Sequence, residues 1–253
     1  MEKDDLKWLA YYFGPDCGLL REATFWHAFV SQKIEMIEAI GHVIRYGGDQ
    51  GIFASRAEGK TTYTTRTLLK HVLQGDIDFS VLLSATALAA GRTLKEITGI
   101  MRDNVLLRAD YPEVCTPVIE LEGKPQRAPS MTASGFRHDD RRKKFDHVSI
   151  EFTWSGEQLV FPRVPGSPSA GAVYATRGLD SEVRGLKELG IRPKVVVIDD
   201  PDTTDTIGNP KIARKVEDNI DMAIAGLGGQ QKDVSRVMLC TLPHIARPFP
   251  AMM

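Results

Sequence analysis

Residues 54–62 read ASRAEGKTT, set between a short apolar stretch and a run spaced for a helix, and no other feature restricts the fold of this chain as sharply. Ala54, Gly59, Lys60 and Thr61 fit the phosphate-loop (Walker A) pattern, with alanine in place of its first glycine. The pattern has a mechanism only where a strand enters it and a helix leaves it. The start of the helix then turns free N–H groups to an anion, the glycine lets the backbone approach, the lysine reaches the terminal phosphates, and the hydroxyl can ligate Mg²⁺. A nucleotide-binding reading therefore covers Ser55, Arg56, Ala57, Glu58, Gly59, Lys60, Thr61 and Thr62, with ATP and Mg²⁺ as its ligands. The competing reading is a chance match in a surface turn.

Such a loop needs carboxylates, and KVVVIDD at 194–200 supplies them. Residues 195–198 are apolar enough for a strand covered on both faces, and such a strand delivers acids to the crevice at the C-terminal edge of a parallel sheet. Asp199 is the metal-holding candidate (Walker B), shared with Thr61; Asp200 is the candidate base for the attacking water, with Asp202 in reserve. An ordinary aspartate turn at a strand end is the bland alternative. Asp205 reads as a loop carboxylate.

Periodicity predicts helices over about 25–45, 61–73 and 86–107, and another starting at Asn209 and Pro210 with Ile212, Val216, Ile220 and Ile224 as its buried stripe. Strands are predicted over 51–55, 79–84, 148–152, 172–176, 195–199 and 236–241; the stretch 111–142 reads as loop and hairpin, and 166–171 as a turn. Strands alternating with helices predict an α/β fold of the RecA-like P-loop type, a mostly parallel sheet with helices on both faces. At 253 residues one core suffices, so residues 1–253 are expected to form a single P-loop ATPase domain with 1–48 as a helical lead-in.

A net charge of −1 means that contact with nucleic acid must come from a local patch. The one dense basic run, RHDDRRKK at 137–144, is interrupted by Asp139 and Asp140 and suits a solvated hairpin as well as a phosphate contact. Three widely spaced cysteines without a CxxC pair, and six histidines without metal-site spacing, point to neither a disulfide framework nor a structural zinc. Ser130, Ser134 and Ser167 lack a nucleophile elbow. No apolar run approaches the ~20 residues of a membrane span, and the acidic N-terminus has no secretory layout; the expected location is the cytoplasm.

Arg56 inside the loop can neutralise charge on a transferring phosphoryl group. With it, Ser55 to Thr61 resembles the phosphate loop of the large terminase subunits of tailed bacteriophages, the ATPases that pump DNA into procapsids. Two further stretches are similar: Arg177-Gly178 and Arg184-Gly185 ahead of Arg192-Pro193-Lys194, and the Asp199-Asp200-Pro201 strand end. Met238 to His244 resembles the coupling motif, and residues 25–27 with Gln32 lie where such proteins place groups upstream of the nucleotide. The resemblance spans about residues 25–245. It implies Arg56 as the arginine acting in cis, Arg177 as a finger reaching a neighbouring subunit, Thr241 as the coupling residue, and Asp200 where many such proteins carry glutamate. It also implies double-stranded DNA as substrate, a homo-oligomeric ring, and the portal protein and small terminase subunit as partners in the host cytoplasm. No nuclease activity is expected from this chain. A helicase or recombination ATPase, and a nucleotide-binding assembly module without turnover, are the alternatives.

Overall fold

The computed structural model describes residues 4–14, 29–120, 132–133, 148–149, 153–164, 166–179, 190–201, 209–227 and 234–241. Helices α1 (Asp5–Phe13) and α2 (Ser31–Tyr46) precede strand β1 (Asp49–Ala54) and helix α3 (Lys60–Leu73). Strand β2 (Phe79–Ser84) leads to α4 (Ala87–Asp103), α5 (Val105–Asp110) and α6 (Pro112–Glu120). The strands β3 (Thr132–Ala133) and β4 (Val148–Ser149) pair antiparallel as a separate ribbon. Then come β5 (Thr153–Trp154), β6 (Gln158–Val160), β7 (Val173–Gly178), β8 (Val195–Asp199), helix α7 (Pro210–Leu227) and β9 (Ser235–Thr241).

The main sheet runs β1-β9-β8-β2-β7-β6-β5; the first five are parallel and the last two antiparallel. This is the mostly parallel sheet flanked by helices that the RecA-like reading expects, and β9 lies between the strand that enters the phosphate loop and the strand that carries the acids. Alternation along the strands divides the interior in two. Leu82, Tyr174, Val195, Val197 and Leu239 face a core shared with α1 to α6, while Val81, Leu83, Val173, Val196 and Ile198 pack with Ile220 and Leu227 of α7. Among the described residues no helix is long and apolar enough to cross a membrane.

Several elements differ from the periodic reading. Phe29 and Val30 precede α2, which starts at Ser31 and stops where expected, at Gly47 with φ +84°. The run 86–107 is two helices: the Asn104 side chain accepts from the N–H groups of Leu106 and Leu107 and donates to Tyr12 O at 2.7 Å, so a cap tied to α1 interrupts the apolar period. Residues 112–120, expected as loop, form α6. Pro112 takes the first helical position, where its missing N–H costs nothing, and Val114, Cys115 and Val118 are buried. In α7, Asn209 accepts from Lys211 N at 3.0 Å as expected of a cap, but Ile212 is 37% exposed and the stripe is carried by Val216, Ile220 and Ile224.

The C-terminal end of α3 is held by charge. Asp5, buried, accepts from Lys70 and from Arg45, the latter at 2.9 Å, and lies 3.3 Å from His71 Nε2; His71 Nδ1 is 2.6 Å from Asp76. The approach is possible because residue 41 is glycine: a Cβ there would stand 2.0 Å from Asp5 Oδ2.

Candidate nucleotide-binding site

The parallel strands end within two residues of one another in register. In register, Ala54 pairs with Thr241, Asp199 with Leu239, and Ser84 with both Asp199 and Gly178. The phosphate loop, the two acids, Thr241 and Arg177 therefore leave the sheet along one edge, where α/β proteins bind ligands.

The loop turns through Ala57 at φ +68° and Gly59 at φ +79°. Glycine adopts this region freely, whereas alanine there stores strain of a kind that gathers at functional sites. Gly59 caps α3, so Lys60 heads the helix. The Lys60 side chain turns back into the loop, and its ammonium donates to Ala54 O at 3.0 Å, Ser55 O at 3.1 Å and Thr241 Oγ1 at 3.1 Å. All three N–H bonds are thus used, every one on a neutral acceptor.

Thr61 Oγ1 donates to Asp199 Oδ1 at 2.8 Å. Thr241 Oγ1 donates to the Asp200 carboxylate, whose two oxygens both lie 2.7 Å away, and Asp200 N–H is fixed on Leu239 O at 3.0 Å. Two links consequently join the start of α3 to the acids, Thr61 to Asp199 and Lys60 through Thr241 to Asp200. Asp200 has φ +40°, a left-handed setting that aspartate enters more readily than most residues. Burial pushes the Asp199 carboxyl up from its ordinary value, the Thr61 bond pulls against this, and the neighbouring Asp200 charge adds to the rise. A hydroxyl beside a carboxylate whose charge is poorly solvated is a hard-oxygen donor set, and it fits a cation of the Mg²⁺ kind.

Beside the loop, α2 and β1 enclose a groove of about 560 Å³, lined among others by Gln32, Lys33, Met36, Ile52, Ser55 and Glu58. Gln32, singled out in the sequence, is therefore at the loop's flank.

The chain is similar to the large terminase of a thermophilic bacteriophage at 12% identity and a TM-score of 0.40, with 85% of this chain and 39% of that one covered. It is similar to the Phi-28 gp11 DNA packaging motor at 14% identity and a TM-score of 0.38, with 77% and 47% covered. It is likewise similar to a variant of the large terminase ATPase domain of a Thermus phage, at 12% identity and a TM-score of 0.32, with 83% and 69% covered. This chain thus spans less than half the length of the first two. No family model matches it, and no curated protein matches it by sequence.

The structure brings together Lys60, Thr61, Asp199, Asp200 and Thr241, and leaves two predicted residues apart. Arg56 is exposed and has no partner among the described residues. Arg177 turns away from the loop: its Nη1 donates to Thr176 O at 2.8 Å and Glu157 O at 2.9 Å, and stands 3.3 Å from the Glu157 carboxylate. Asp202, Asp205, Arg184, residues 25–27 and the basic run 137–144 lie outside the described residues. Sequence reasoning missed Lys33 and Glu157. Nothing local marks Lys33, and the strands on either side of the Ser155-Gly156 turn, two and three residues long, are too short to mark Glu157.

Proposed function

We propose that this chain is an ATP-hydrolysing motor domain of a viral DNA-packaging terminase, with residues 1–253 acting as one P-loop ATPase domain on double-stranded DNA. The observation that carries the ATPase reading is the convergence of Lys60, Thr61, Asp199, Asp200 and Thr241 on one strand edge. The packaging part rests on the motif resemblance around Arg56, Arg177 and residues 199–201.

Lys60 exchanges its carbonyl and hydroxyl partners for the β and γ phosphates of ATP. That exchange moves the ammonium from neutral dipoles to a polyanion, which is favourable in a site shielded from water. Thr61 and Asp199 would hold Mg²⁺, which when bound would supply further positive charge against the phosphate oxygens. Departure of Lys60 also takes one partner from Thr241, whose hydroxyl holds Asp200; Asp200 then orients or deprotonates the attacking water, and Thr241 reports phosphate occupancy to β9. The groove between α2 and β1 takes the nucleoside.

Arg56, exposed, is available in cis. Arg177 acts in a neighbouring subunit of a homo-oligomeric ring only after leaving Glu157. The portal protein, the small terminase subunit and the host cytoplasm follow from the resemblance.

The test is phosphate release over time by the chain with ATP and Mg²⁺, beside Lys60→Ala and Asp200→Asn. Turnover by the unaltered chain, with both variants near background and Asp200→Asn still binding ATP, is the expected result. Tight binding with equal, negligible release in all three supports a non-catalytic assembly module. Strand separation of duplex DNA by the purified protein supports a helicase.

A further inference from the structure

Helix α2 brings a second cation to the phosphate loop. Lys33, in its first turn, crosses to the loop, and its ammonium donates to both the backbone carbonyl and the carboxylate of Glu58. The same ammonium stands 5.6 Å from the centre of the Tyr63 ring, which meets Phe29 edge-on at 6.0 Å. A Cβ at Gly59 would lie 3.0 Å from that ring. Lys33, Tyr63 and Gly59 thus form one packed unit against the turn through which a polyphosphate must pass. The Lys33 side chain is 16% exposed and that of Glu58 47%, so the cation is committed to the site while the carboxylate is free to swing into water.

A carboxylate is a poor neighbour for a triphosphate, and the Lys33 hydrogen bond holds the Glu58 carboxyl below its ordinary value. The pair cancels that charge. An ammonium has three donors, so it can keep the Glu58 carbonyl and exchange the carboxylate for a phosphate oxygen. An ion pair open to solvent contributes little, so the carboxylate is easily displaced, and phosphate is the stronger charged acceptor. Lys33 also lines the groove between α2 and β1, and so stands between the space proposed for the nucleoside and the loop itself.

We infer that Lys33 is a phosphate-binding residue supplied by α2, and that Glu58 occupies it as an internal anion until a nucleotide polyphosphate displaces it. This assignment rests on the nucleotide-binding reading of the loop. It makes Glu58 a brake on affinity, the opposite of what a loop-supporting residue would be.

The experiment is equilibrium binding of a fluorescent ATP analogue with Mg²⁺ to the full chain, with inorganic tripolyphosphate as competitor. Lys33→Met weakens binding of both by about tenfold, the loss of one charge-assisted bond, and Lys33→Arg restores most of it. Glu58→Gln tightens binding of both, because it releases Lys33. Hydrogen exchange of the loop amides without nucleotide separates a clasp from a ligand contact. If Lys33→Met speeds exchange while it and Glu58→Gln leave both affinities within about twofold, Lys33 only props the loop and the inference fails. If the unaltered chain binds neither ATP nor tripolyphosphate, the nucleotide-binding reading and this inference fall together.

Discussion

Helix α3 buries a lysine at each end, and the two are kept in opposite ways. Lys60, 5% exposed, gives its protons to two carbonyls and a hydroxyl; Lys70, 1% exposed, gives its charge to Asp5 inside a cluster that also holds Arg45 and His71. Neutral acceptors solvate an ammonium without cancelling it, so Lys60 retains a field that an incoming anion can use. A buried carboxylate cancels it, and Lys70 is spent on joining α1 to α3. The difference teaches that a cation's partner, more than its burial, separates a lysine reserved for a ligand from one that holds the fold.

That contrast can be broken by exchanging observables. Lys70→Met leaves Asp5 buried with part of its compensation gone, and should lower unfolding free energy by about 3–5 kcal/mol in urea titrations, with phosphate release per folded molecule unchanged. Lys60→Ala should do the reverse: release falls by roughly 10²–10³, the scale for loss of one aimed electrostatic donor, while stability stays within about 1 kcal/mol. Equal losses of stability in the two variants would erase the distinction. Gly41→Ala sharpens it, because the new methyl displaces Asp5; a loss of about 1–3 kcal/mol in thermal melts is expected, with nucleotide binding retained.

The smallest effect is in the pH profile. Burial alone would raise the Asp5 carboxyl, but its hydrogen bonds and charge contacts with His71 and Lys70 outweigh this and hold it well below the usual carboxylate range. A depressed acid stabilises the fold above its unfolded value, about 3.9, and that stabilisation is lost as pH falls below it. The urea midpoint should therefore drop more steeply below about pH 4 in the unaltered chain than in Asp5→Asn.

Much of the end where the loop meets the acids was legible because its residues are written in short words. A loop of nine residues and a strand ending in two acids each carry a local signature, and the C-terminal edge of a parallel sheet is the one place where both can meet. The opposite end of α3 was not legible: Asp5, Arg45 and Lys70 lie tens of residues apart, and each alone reads as an exposed charge. The break at Asn104 was hidden for a related reason, since its bond to Tyr12 O is tertiary and competes with an unbroken apolar period. The hairpin turn at Glu157 was hidden by length, β5 and β6 spanning two and three residues, too few to show alternation.

The left-handed setting of Asp200 bears on the choice of acid. At φ +40° the backbone favours short polar side chains that bond locally, and Thr241 offers that bond at 2.7 Å. A glutamate there would bring the same charge on a longer arm into a conformation it occupies less readily. The reach of the acid is thus dictated by how the peptide leaves the sheet, and a swap to the longer homologue would have to remake the strand's exit as well as the side chain.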